Sequence, residues 1–121
     1  MIRDDVQAFI GRFVKTVWSL ELLIFVRRNK QRAWTADELV KELRSSRKIV
    51  DNALAIFIQA GILRETNSGV IYAPATSEFD NLIDELAREF SERPSSIINA
   101  IVDAQSDKLQ DFANAFRIKR D

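Results

Sequence analysis

The chain has 121 residues, 46% hydrophobic and 30% charged, with 18 basic and 18 acidic side chains and neither cysteine nor histidine. That length suits one domain with its own core. The missing residue types exclude thiol chemistry, disulfides, imidazole bases and nearly all zinc or haem sites.

The charge is unevenly placed. Residues 27–48 carry eight bases against three acids, whereas residues 74–121 carry six bases against ten acids. A basic stripe of this kind is the footprint of a polyanion binder or, equally, a solvated helix face. The longest apolar run, Val17 to Val26, is interrupted by Ser19 and Glu21 and falls well short of the roughly 20 residues that span a bilayer. Asp4 and Asp5 stand where a signal peptide would be basic, so a cytoplasmic location without membrane contact is expected.

In chain order, Val6, Phe9, Ile10, Phe13 and Val14 recur at helical spacing and predict an amphipathic helix over 4–14. A second helix, from about Thr16 to Arg28, is apolar nearly all round and is expected to be a buried pillar. Asn29 to Arg32 is a polar connector. Thr35 and Glu38 match a capping box opening a short helix to Leu43. Ser45 or Ser46 caps the next helix, with Val50, Ala53, Leu54, Phe57 and Ile58 at helical spacing and Gly61 as its left-handed stop. Ile62–Glu65 and Val70–Ala73 read as hairpin strands around the turn cluster Thr66-Asn67-Ser68-Gly69. Ser77 with Asp80 is the expected cap of an amphipathic helix ending at Arg93-Pro94, and Pro94 suits the first turn of another. Ser106 is expected to cap a last helix carrying Leu109, Phe112, Ala113 and Phe116.

The order of two short helices, glycine stop and hairpin, on Trp34–Leu39, Ser45-Ser46, Leu54, Phe57 and Ala60–Leu63, resembles the winged helix-turn-helix module of small bacterial transcription regulators. The resemblance covers about residues 16–74. It implies a one- or two-residue strand at Ala33-Trp34 that adds to the hairpin's edge. With the helices read on either side of it, the expected fold is mostly α with a small β-hairpin (α+β): a winged helix with an added N-terminal helix and a C-terminal helical extension over about 77–118, all one domain. It also implies a regulator that binds double-stranded DNA as a dimer.

With the apolar set facing inward, the recognition helix (about 46–60) presents Arg47, Lys48, Asp51, Asn52 and Ala55. Arg47 can reach guanine and Asn52 adenine bidentately. Arg44, Ser46 and Arg64 are candidates for phosphate contact, as is Thr35 with the free N–H groups of its helix. The alternative is a winged helix used for protein contacts: Asp51 repels phosphate, Ala55 offers no polar group, and the loop Thr66–Gly69 has no base. Apolar faces on the first helix and on residues 79–116 suit a homodimer or, equally, cover the chain's own core.

Enzyme chemistry is not expected. The serines have no histidine partner, and Gly11, Gly61 and Gly69 are too far apart for a phosphate loop. Asp80/Asp84 and Glu85/Glu89 read as a solvated face rather than a metal site. No cofactor or small-molecule ligand is expected.

Overall fold

The structure, a computed structural model, describes residues 2–106. It is mostly helical with one two-stranded antiparallel sheet: α1 (Asp4–Phe13), α2 (Val17–Arg28), α3 (Ala36–Leu43), α4 (Arg47–Gln59), β1 (Leu63–Thr66), β2 (Gly69–Tyr72) and α5 (Ser77–Glu92). A further helix, α6, occupies residues 94–106. No helix among the described residues is long and apolar enough to cross a membrane.

Local chemistry sets these boundaries. The Thr35–Glu38 capping box forms as expected. Ser46, not Ser45, caps α4 by accepting from the Ile49 amide at 3.2 Å. At the other end of α4, Gly61 takes φ +80°. Its amide donates to the Ile58 carbonyl at 3.1 Å and that of Ile62 to Phe57 at 3.0 Å, the paired bonds of a Schellman stop.

Several boundaries differ from expectation. Both strands shift by one residue, with the register Leu63–Tyr72, Arg64–Ile71, Glu65–Val70 and Thr66–Gly69, so Thr66 and Gly69 end the strands and only Asn67-Ser68 turns. The Thr66 hydroxyl fixes that turn by donating to the Gly69 carbonyl at 2.7 Å. Thr76, not Ser77, caps α5, its hydroxyl accepting from the Phe79 amide at 3.1 Å. A second capping box, Thr16 with Ser19, opens α2. Residues 94–106 are helical throughout, so Ser106 does not start a new helix; the expected helix of Leu109, Phe112, Ala113 and Phe116 lies outside the described residues.

Leu20, Leu22, Leu23 and Val26 make α2 the pillar of a core that Ile10, Leu39, Phe57, Ile62, Ile83 and Ile97 also join. The apolar faces of α1 and α5 meet each other: Phe9, Phe13 and Phe79 pack with ring centroids 5.1 to 6.2 Å apart. Val6, Phe9 and Ile10 of α1 are buried, while Phe13 and Phe79 stay partly exposed.

Trp34 ties the helices to the hairpin. It forms an antiparallel bridge with Val70, its ring meets Phe25 edge-on at 4.8 Å, and its indole N–H donates to the Asn29 carbonyl at 3.1 Å. The Arg32 guanidinium lies 3.8 Å over the ring, a cation–π contact.

Candidate nucleic-acid interface

The α3–α4 pair and the hairpin hold all seven candidate residues. Val50, Ala53, Leu54 and Phe57 are buried. At 100° per residue they fix the opposite side of α4, where Lys48, Asn52, Ala55 and Gln59 form one line, all exposed. This line carries an amine, two amides and a methyl group, and no acid. One flank of α4, with Arg47, Asp51 and Ile58, borders the hairpin across a groove reaching Glu65 and Thr66. The other, with Ile49 and Ile56, borders Thr16 and Ser19 across a depression of about 430 Å³. Ile56 and Ile58 thus lie on opposite flanks, each partly buried.

Arg47 is exposed but engaged. Its guanidinium donates to Asp37 of α3 at 2.7 Å and to Asp51, one turn along α4, at 3.0 Å. The hydrogen bond it donates to Asp51, then the charges of Asp51 and Asp37, strengthen its hold on its proton. The trio carries one cation and two anions. Asp51 is thus a flank residue bound to Arg47 rather than the centre of the outward face.

Lys48, Arg44 and Arg64 are exposed and have no ion-pair partner among the described residues. Arg44 stands at the turn between α3 and α4 with φ 52°, a left-handed conformation uncommon outside glycine and asparagine. The Ser46 hydroxyl accepts within its cap and keeps its own proton to donate.

Thr35 is engaged in its own capping box. Its amide donates to the Glu38 carboxylate at 2.9 Å and its hydroxyl accepts from the Glu38 amide at 3.2 Å. The Thr35 amide, then Arg32, hold the Glu38 carboxyl below its ordinary range. The start of α3 is therefore capped by its own carboxylate, with Asp37 in the same first turn, while the Thr35 hydroxyl, like that of Ser46, keeps its own proton to donate.

Asp80 and Asp84 of α5 have partners too. Asp80 accepts from the Tyr72 hydroxyl at 2.7 Å, and Asp84 lies between Arg27 at 2.9 Å and Arg88 at 2.6 Å.

No family model, curated protein or solved structure matches this chain. Function therefore has to be argued from the geometry of these residues.

Proposed function

We propose that the chain is a winged helix-turn-helix regulator that binds double-stranded DNA, with α4 as the recognition helix and the hairpin as the wing. The observation that carries this reading is the acid-free line Lys48, Asn52, Ala55 and Gln59 on the uncovered side of α4. Asn52 has the donor–acceptor pair that matches adenine in the major groove, and Ala55 can meet a thymine methyl. Lys48, Arg44, Ser46 and Arg64 take phosphate oxygens and fix the register. Arg47 contributes less than its exposure suggests, because two carboxylates already neutralise it.

A second reading, a module that docks another protein, is supported by the hairpin loop. Asn67 and Ser68 carry no charge and Glu65 faces α4 across the groove, so the wing adds little counterion release.

Binding to a labelled random duplex across a salt series separates the two. DNA binding predicts tight association at low salt that weakens steeply as salt rises. Lys48→Ala should lower the slope of log K against log salt by about one, whereas Asn52→Ala, a base-reading change, should leave the slope unchanged. No binding at low salt, or binding indifferent to Lys48, sinks the DNA reading and leaves the protein-docking one.

A further inference from the structure

The pillar helix is not apolar all round. Ser19, Leu20, Leu22, Leu23 and Val26 face inward, and Ser19 lies on the side towards Asn52 and Ala53 of α4. On the side turned away from α4, Trp18, Glu21, Phe25 and Arg28 follow one another at steps of three, four and three. That is the spacing of a helix–helix seam. Trp18 is 41% exposed. Phe25 is only partly buried and, with Leu43 and Phe90, walls a depression of about 270 Å³ that Glu21 and Arg28 border.

Glu21 and Arg28 are exposed, opposite in sign, and unpaired among the described residues. They stand about 10 Å apart along the axis, too far to pair within one helix. An antiparallel copy of the same helix, related by a two-fold axis passing between Ile24 and Phe25, brings Glu21 of each copy onto Arg28 of the other. The arrangement is self-complementary, as an isologous interface requires, and it sets the two Phe25 rings side by side between the two ion pairs.

We infer that this face of α2 is the surface on which a second copy of the chain packs. It lies away from the outer line of α4, so both copies keep Lys48 and Asn52 uncovered. The inference stands on the α2 seam and holds whether or not α4 binds DNA.

Sedimentation velocity over a concentration series tests it. The unaltered chain forms a dimer. Glu21→Arg and Arg28→Glu each place like charges together twice and raise the dimer dissociation constant about tenfold or more. Mixing the two single variants restores opposite charges at both pairs, so the mixture dimerises; the double variant Glu21→Arg/Arg28→Glu does so alone. Both positions are exposed, so circular dichroism should match the parent. A chain that stays monomeric at high micromolar concentration overturns the inference, and so do single variants that dimerise normally or a mixture that stays monomeric.

Discussion

Three described residues carry positive φ angles that their side chains explain unequally. Gly69 has φ +130°, and a Cβ there would sit 2.4 Å from the Trp34 carbonyl oxygen. The contact exists because Trp34 and Val70 bridge backbone to backbone, with the Val70 amide donating to Trp34 at 2.7 Å. Gly69→Ala therefore strains the hairpin and pushes apart the bridge that holds it to α3. A loss of about 1–3 kcal/mol or more is expected, read as a lower urea midpoint; an unchanged midpoint would mean that the bridge yields freely. Gly61→Ala meets only Ala75 at 3.3 Å, but its φ of +80° opposes any side chain. Arg44 holds a comparable left-handed angle without being glycine. It sits at the α3–α4 turn and is exposed.

Among the elements, the contact of β2 with α5 has a property that can be read optically. Tyr72 is the only tyrosine in the chain. Burial first, then the hydrogen bond to Asp80, raise its hydroxyl well above the ordinary value of 10.0. The unfolded chain releases this proton near the ordinary value while the folded chain retains it. The stabilisation is therefore complete below about pH 10 and is lost as pH climbs from there towards the folded value. Ultraviolet titration of native protein should show tyrosinate appearing only well above the ordinary range, and the chain should weaken in strongly alkaline buffer. Tyr72→Phe should cost about 0.5–1.5 kcal/mol at neutral pH and remove Tyr72's share of the alkaline loss. A native titration at the ordinary value would refute the clasp. Arg27 joins the same contact, its guanidinium meeting Asp84 at 2.9 Å, so α2, β2 and α5 are linked by polar as well as apolar groups.

Over the whole molecule, α1 and α5 are parts of one core rather than appendages. Ile83 and Leu86 are fully buried in the same cluster as Phe57, Leu39 and Ile62. Ile83→Ala should cost about 2–5 kcal/mol, although Ile83 lies outside the helices and hairpin that carry the proposed DNA site. Because Trp34 belongs to that cluster, tryptophan fluorescence and circular dichroism should report coincident unfolding transitions, in the variant as in the parent. Separate transitions would instead make the extension an independent unit.

Local chemistry carries the order of the elements as far as Pro94, the Thr35–Glu38 box, the glycine stop at Gly61, the hairpin and the exposure of Arg47, Lys48 and Asn52. Each of these follows from nearest-neighbour chemistry or from a 3.6-residue period, and both are local. The Thr16–Ser19 box was within reach of the same reasoning, since a hydroxyl three residues on can close a cap as a carboxylate does. Tertiary structure alone decided the rest. The pairing of Arg47 with Asp37 depends on how α3 turns onto α4 at Arg44, a residue whose side chain gives no hint of a left-handed backbone. The covering of α1 depends on Phe79, far along the chain. On α2, Glu21 and Arg28 break the apolar pattern on one side, and packing decides what lies between them: Phe25 meets Trp34 and walls a depression with Leu43 and Phe90. Spacing fixes where side chains point about their own axis; only packing fixes what they meet.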